Sequence, residues 1–336
     1  MSKNLAIILI NWNGYEDTIE CLNSIQASSI EDMSVFIIDN SSSDNSIDKI
    51  EKWSQTKSKW SNHHTLTLDA LKNAKSYAER ATYLVTSDKN LGFAKGNNAI
   101  WKVVYDKFEH VLILNNDTIV DKYAFERMLD TMHKHPEVAA LSCDIRYYDN
   151  REKLWHSGGK FTWYGDRKYY PQTTIDAWKK DRDFIETEFI TGCAMMVRKT
   201  TVENIGFYTE KFFFGEEDFN YCQRLKKAGL TVATVLSATI YHKVSGSVKK
   251  RQEPYNKFIL HFANRIINQK DFMGGLQWHA WRLFYMMAVF LKAMQTFKDV
   301  RKSVRVVRRI MYYTSRFDRI TYKTFIEIGN LNGTNL

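Results

Sequence analysis

The chain has 336 residues, 44% of them hydrophobic and 14% aromatic, and its 48 Lys and Arg outnumber 38 Asp and Glu to give a formal net charge of +10. That length suits one large α/β domain or one domain with a sizeable appendix, and the charge predicts an acidic partner: nucleic acid, an anionic membrane surface or a phosphorylated small molecule. The four cysteines, Cys21, Cys143, Cys193 and Cys222, have the spacing of neither a zinc site nor a disulfide framework, and no segment reaches the roughly 18 apolar residues of a membrane span, so the expectation is an intracellular chain without transmembrane helices.

The amino-terminal apolar run is too short for a signal peptide and reads instead as a buried strand, Leu5 to Ile10, ending in Asn11, Trp12, Asn13 and Gly14. A helical face of Ile19, Leu22 and Ile25 follows, and then Ser34 to Asn40 repeats the theme of an apolar strand that ends in a carboxylate, Asp39. Strand, helix and strand at this spacing predict a βαβ unit with a right-handed crossover. Gly14 alone stands where a dinucleotide fingerprint needs G-x-G-x-x-G, which argues against a dehydrogenase. After the polar turn DNSSSDNS, residues 53–80 read as a polar surface excursion in which His63 and His64 are solvated.

Tyr83 to Thr86 resumes the sheet and leads into Asn90 to Ile100, NLGFAKGNNAI, ahead of a helical face of Ile100, Val103, Val104 and Phe108. Glycines at a helix start let backbone approach an anion; a tight strand-to-helix connection explains the same residues. Val111 to Thr118, VLILNNDT, is an apolar run that stops at Asn115, Asn116 and Asp117. Asp117 thus falls just past the carboxyl end of a strand, where open α/β sheets bind ligands, and a carboxylate there suits a divalent metal carrying phosphates. A self-satisfied Asn/Asp turn is the plainer alternative. A second amphipathic helix, with Phe125, Met128, Leu129 and Met132 on one face, is stopped by Pro136.

From Val138 the pattern changes to strands (Val138 to Tyr148), a Gly158-Gly159 turn and an aromatic set, Phe161, Trp163, Tyr164, Tyr169 and Tyr170, suited to packing or to stacking on sugar rings. Thr191, Gly192 and Cys193 make a small-residue turn ahead of another strand. Glu216, Glu217 and Asp218 open a helix that ends at Gly229, where acids favour the helix dipole without any function. A strand from Val232 to Tyr241 delivers His242, followed by Ser245-Gly246-Ser247. The last 80 residues read as helical. Leu283 to Leu291 is apolar, and Lys298, Arg301, Lys302, Arg305, Arg308, Arg309, Arg316 and Arg319 face only Asp299 and Asp318, over an apolar stripe of Val300, Val304, Val307 and Met311. Such a helix suits an anionic membrane interface or a cationic helix packed on the domain.

Taken in order, NWNG, VFIIDNSSSDNS, NLGFAKGNN, LILNNDT, TGCAMMVRK, FFFGEEDFNYCQRL and YHKVSGS resemble glycosyltransferase family 2, nearest its rhamnosyltransferase-like branch of bacterial surface-polysaccharide enzymes, over about Leu5 to Ser247. The resemblance implies an α/β GT-A fold: a Rossmann-like, mostly parallel central sheet flanked by helices, with a helical basic C-terminal extension. It divides the chain into a glycosyltransferase domain at 1–250, with a nucleotide-sugar half at 1–137 and an acceptor half at 138–250, and an extension at 251–336. It also implies that Asn11, Asn13 and Asp39 lie against the nucleoside and Asn90, Gly92 and Gly96 near the ribose and diphosphate. Asn116 would touch the sugar nucleotide. Asp117 stands for the last acid of the DXD metal motif, His242 completes metal or diphosphate binding, Asp218 is the general base with Glu217 as fallback, and Thr191, Gly192 and Cys193 fall on the acceptor side. Two departures stand out: the DXD reads Asn115-Asn116-Asp117, and Asn220 replaces a further acid common after the ED pair.

The implied activity is inverting, Mn²⁺- or Mg²⁺-dependent transfer from dTDP-rhamnose, a UDP-hexose or a UDP-N-acetylhexosamine to a saccharide, lipid-linked acceptor in O-antigen, capsule or cell-wall synthesis. The protein would be cytoplasmic and peripheral at the inner membrane face, without a nucleic-acid partner and with homo-oligomers left open. The alternatives are a non-catalytic nucleotide-sugar-binding or scaffolding protein, favoured by the eroded DXD, and a nucleic-acid binder, disfavoured because the basic residues cluster in the tail. A nucleotidyltransferase would need a Gly- and Arg-rich loop after the first strand, which is missing.

Overall fold

The structure, a computed structural model, describes residues 5–60, 62–74, 76–78, 80–244 and 253–331. Apolar runs and amphipathic segments alternate through the first part as β1 (Leu5–Asn11), α1 (Tyr15–Gln26), β2 (Met33–Asp39), α2 (Ser46–Thr56), β3 (Asn62–Thr67), α3 (Leu68–Asn73), β4 (Ala81–Thr86), α4 (Gly92–Val104) and β5 (His110–Asn115). The 53–80 excursion is corrected here. Its middle, NHHTLT, pairs in parallel with β4 as an edge strand, and His64 stacks on Tyr83 with ring centroids 4.9 Å apart. An edge strand with one wet face carries no apolar run, so the sequence pattern concealed it.

The second part runs β6 (Thr118–Val120), α5 (Ala124–Lys134), β7 (Val138–Tyr147), β8 (Leu154–His156), β9 (Gly159–Phe161), β10 (Arg167–Tyr169), α6 (Gln172–Trp178), β11 (Phe184–Thr187), β12 (Ala194–Arg198), α7 (Lys199–Ile205), α8 (Glu217–Lys227) and β13 (Thr231–His242). Eleven strands form one sheet in the order β11-β13-β7-β12-β5-β1-β2-β4-β3, with β6 on β13 and β8 on β7; β9 and β10 form a separate hairpin. Pairing is parallel from β3 through β5, and antiparallel where β12 inserts between β5 and β7.

The strands bury both faces. Leu5, Ile7 and Leu9 point into a core shared with α1, α2 and α5, while Ala6 and Ile8 point into one shared with α4 and α8. Because β1 has β2 on one side and β5 on the other, the chain order reverses at β1, and a crevice opens at the carboxyl ends of these three strands. Asn11, Asp39 and Asn115 end them.

The last part is helical: α9 (Pro254–Gln269), α10 (Gly275–Phe297), α11 (Val300–Arg316) and α12 (Tyr322–Gly329). These share a third core, built on Ile259, Ala263, Ile266, Trp278, Val306, Ile310 and Tyr313, which Phe212 also enters. The stripe expected under the charges of α11 needs correction. Ser303, Val306, Ile310 and Tyr313 face inward, whereas Val300 and Met311 are exposed. The helix carries two apolar rows of equal periodicity, and only packing against α9 distinguishes them. None of the described helices is long and apolar enough to cross a membrane.

Candidate active site

At the end of β1, fully buried Asn11 donates from Nδ2 to Asp39 Oδ2 (2.8 Å) and Ser42 Oγ (3.2 Å). Asp39 also accepts from the Ser42 N–H (2.9 Å) and hydroxyl (2.7 Å). Thr18 Oγ1 donates to Asn11 Oδ1 and accepts from Asn116 Nδ2, both at 2.8 Å. Asp39, Asn11, Thr18 and Asn116 are therefore one hydrogen-bonded line across the crevice floor. Asn13 sits at its rim, with φ +51°, and accepts from the Ser43 N–H at 2.7 Å.

Asn40 joins this line to the next segment. Its Nδ2 donates to Asn90 Oδ1 (3.0 Å), and its Oδ1 accepts from the Leu91 N–H (2.8 Å). The glycines expected ahead of the helix lie within it. Gly92, at φ +77°, has no room for a Cβ, which would stand 2.3 Å from the Phe213 carbonyl oxygen, and the Phe93 N–H donates to that same oxygen at 2.9 Å. Gly96 seats α4 on β1, with Ile10 3.0 Å from where a Cβ would be.

Past β5, Asp117 Oδ1 lies 3.0 Å from His242 Nε2, because β6 pairs with the end of β13 in the register Thr118 to His242. Trp155 stands edge-on to the imidazole at 4.4 Å. His242 Nδ1 is buried without a hydrogen-bond partner among the described residues.

The turn from Thr191 to Cys193 joins the end of β5 to the start of α8. The Asn115 N–H donates to the Cys193 carbonyl (2.8 Å), and the Gly192 N–H donates to Asp218 Oδ2 (3.0 Å). Thr191 Oγ1 closes the turn by accepting from the Cys193 N–H at 3.2 Å. Burial pushes the Cys193 thiol far above its ordinary range.

Residues 4–258 match the glycosyltransferase-like family 2. The chain belongs to that family. It is 22% identical over 272 residues to the low-salt glycan biosynthesis hexosyltransferase Agl10 of Haloferax volcanii, covering 80% of this chain and 76% of that one. In fold it is similar to GalNAc-T7 solved with UDP, GalNAc and Mn²⁺ (TM-score 0.55, 10% identity, 80% of this chain and 47% of that one, so that it spans about half of that protein). It is also similar to the mannosyltransferase PcManGT of Pyrobaculum calidifontis in complex with GDP-Man and Mn²⁺ (TM-score 0.50, 13% identity, 93% and 87% coverage). The fold is thus GT-A.

In this family 2 glycosyltransferase the three acids before and within α8 differ sharply. Glu216 caps the helix at φ +79° and is held below the usual carboxylate range: burial raises it, but the adjacent guanidinium groups of Arg167 and Arg265 prevail. Arg167 is ion-paired to Glu216 and stacks 3.2 Å from the Phe219 ring centroid. Glu217 points inward with Oε2 unpartnered. Burial and then the Asp218 charge push its proton affinity well above the ordinary value. Asp218 is only partly buried. It accepts from Gly192 and from the Phe219 N–H (2.8 Å), and burial raises it although the Gly192 bond and Arg167 oppose.

From α9, Asn268 donates to Glu216 (3.3 Å) and accepts from Asn220 (2.8 Å), while Asn264 holds the Phe214 carbonyl (2.9 Å). Thr18, Ser42, Arg167, Arg265 and Asn268 were missed by sequence reasoning. Only Thr18, seven residues after Asn11 on a helix starting beside it, had a local signal.

Asp117 Oδ1 and the His242 Nε2 that faces it together offer an oxygen and a nitrogen ligand. That donor set would fit Mn²⁺, and Mg²⁺ less well. A second cluster, Glu109, His110 and His133, lies at the start of β5, the opposite end of the strand. His110 is lowered to about 4 by burial and the nearby Arg198, a cation that opposes a metal there. A groove of about 620 Å³ on α5 and β11, lined by Arg127, Asp130, Lys134 and Arg182, also lies apart from these residues. Ser245, Gly246 and Ser247 lie outside the described residues.

Proposed function

We propose that the protein is an inverting, metal-assisted hexosyltransferase with Asp218 as general base. The observation that carries this is the Thr191–Cys193 turn, which hydrogen-bonds to Asn115 beside Asp117 on one side and to Asp218 on the other. A leaving-group site and a base are thereby attached to opposite ends of one rigid turn, as a single displacement requires.

In that step the acceptor hydroxyl oxygen forms a bond to the anomeric carbon, the bond from that carbon to the donor phosphate oxygen breaks, and the hydroxyl proton passes to Asp218. The raised affinity of Asp218 for a proton makes it a stronger base than an exposed Asp, and its two backbone N–H bonds fix its direction. Glu217, turned inward and raised in proton affinity by burial, acts through Asp218 and not on the acceptor. Asn11, Asn13, Asp39, Asn90, Gly92, Gly96 and Asn116 frame the nucleotide sugar; Gly92 and Gly96 act indirectly, by seating α4. Asp117 and His242 would hold Mn²⁺ or Mg²⁺, which neutralises charge on the departing diphosphate.

The donor assigned by this reading is dTDP-rhamnose or a UDP-sugar. The acceptor is a lipid-linked saccharide of surface-polysaccharide synthesis, reached at the cytoplasmic membrane face. The likeness to Agl10, itself a glycan-biosynthesis hexosyltransferase, supports a glycan acceptor. The division at residues 137 and 250 belongs to the same proposal, with α9 adding the back wall of the base. The test is a panel of sugar nucleotides with Mn²⁺ or Mg²⁺, scored by thermal stabilisation and then by transfer. Asp218→Asn is expected to lower turnover about 10²- to 10⁴-fold with donor stabilisation retained. Unchanged turnover would remove Asp218 from the mechanism, and donor binding with no transfer by the wild type on any glycan acceptor would favour the non-catalytic alternative.

A further inference from the structure

The outward face of α10 has no covering partner among the described residues. Trp278, Tyr285, Met286, Val289 and Ala293 fill the helical core, while Leu276 (91% exposed), Leu283 (69%), Phe284 (73%), Met287 (65%) and Leu291 (61%) form a row on the opposite side. No Asp or Glu occurs anywhere in α10. An exposed apolar row of this size marks a docking face.

Two contacts extend the row. Arg282 donates to the Met311 carbonyl at 3.0 Å, which brings the exposed shoulder of α11, Met311 and Val300, alongside it. The Trp281 indole, at the same turn, donates to the Tyr164 carbonyl at 2.8 Å, which brings the β9–β10 hairpin and its 93%-exposed Trp163 beside α10 as well. Arg301, Arg305, Arg308 and Arg316 are exposed on α11, about 100° farther around the helix than the Val300–Met311 shoulder.

The geometry points to an anionic lipid bilayer as the occupant. The α10 row and Trp163 enter the headgroup and acyl boundary while the α11 arginines meet lipid phosphates. Charge decides between this and a second copy of the chain. Residues 298–319 carry eight Lys and Arg against two Asp, and a two-fold interface on this face would bring two such net-positive rows together. An anionic surface balances that charge, and a large amphipathic face flanked by arginines and an exposed indole is what lies in an interface without crossing it. The inference rests on the proposed function only for the location of the acceptor, since lipid binding is measured without transfer.

The experiment is co-flotation of the full chain with phosphatidylcholine vesicles containing or lacking phosphatidylglycerol. Wild type and Asp218→Asn are expected to float equally with anionic vesicles and to be released by salt. The exposed quadruple variant Leu283→Ser, Phe284→Ser, Met287→Ser, Leu291→Ser should lose at least about tenfold in binding with an unchanged melting temperature. Arg301→Gln with Arg305→Gln and Arg308→Gln should abolish the preference for phosphatidylglycerol. Equal flotation of the quadruple variant, or no flotation of the wild type, overturns the proposal. Concentration-dependent dimers that the quadruple variant abolishes, without vesicle binding, would overturn it in favour of a homodimer face.

Discussion

The two sides of the crevice are held by different chemistry. On the proposed donor side, Asp39, Asn11, Thr18 and Asn116 join the ends of adjacent strands through short side-chain hydrogen bonds, with a single carboxylate among them. On the base side, Glu216 meets Arg167 from the β9–β10 hairpin and Arg265 from α9, three segments far apart in the chain. The donor side is thus preorganised by the sheet itself. The proposed base side draws Arg265 and Asn268 from α9, so helical packing and the proposed chemistry meet there.

Breaking one buried charge pair gives the largest expected effect. Arg265→Met leaves Glu216 with Arg167 alone and Asp166 without its Arg265 partner, and should cost about 3 kcal/mol in chemical denaturation, the low end for a broken buried pair because Arg167 remains. Turnover should fall while donor affinity holds, because Asp218 follows Glu216 by two residues and the donor side shares none of these contacts. Adding Arg167→Met and Glu216→Gln removes the remaining buried charges, and stability should return without full turnover. An equal loss of donor affinity in Arg265→Met would erase the distinction between the two sides.

The donor side responds to a smaller change. Thr18→Val keeps the shape but deprives Asn11 Oδ1 of a donor and Asn116 Nδ2 of an acceptor, at a cost of about 1–3 kcal/mol. Donor KM should rise more than kcat falls, the reverse of the Arg265 variant, as steady-state kinetics with saturating acceptor would register.

The same contrast explains what the sequence disclosed. Asn11, Asp39 and Asp117 were visible because each ends an apolar run, and strand ends converge in an open α/β sheet whatever the loops do. The acids before α8 were visible as a cluster, but their ranking was not. Glu217 and Asp218 differ through burial, through the Gly192 N–H and through Arg167, none of which is adjacent in sequence. Gly92 drew attention as a ligand-approach glycine, whereas what approaches is Phe213, over a hundred residues later. β3 and the inward row of α11 were missed or misplaced for one reason: periodicity marks apolar faces, and tertiary packing decides which of them is covered.

Glu217 yields the smallest effect and the sharpest test of the base side. Its folded-state proton affinity is raised, by burial first and by the Asp218 charge second, above the ordinary carboxyl value of 4.5. Above that ordinary value the unfolded chain releases the proton while the folded chain keeps it, so the unfolded state binds fewer protons and stability falls as pH rises. The full stabilisation is present below the unfolded value and is lost as pH climbs through the folded one, with a slope of at most about 1.4 kcal/mol per pH unit for one proton. Glu217→Gln cannot ionise, so this contribution to the slope should vanish: the variant gains on the wild type as pH is raised from 5 to 8 in parallel urea titrations. Thr18→Val, on the donor side, should keep the wild-type slope. Parallel curves for Glu217→Gln and wild type would mean that Glu217 is ionised in the folded protein, and the assignment of Asp218 as the only base would then need to be reopened.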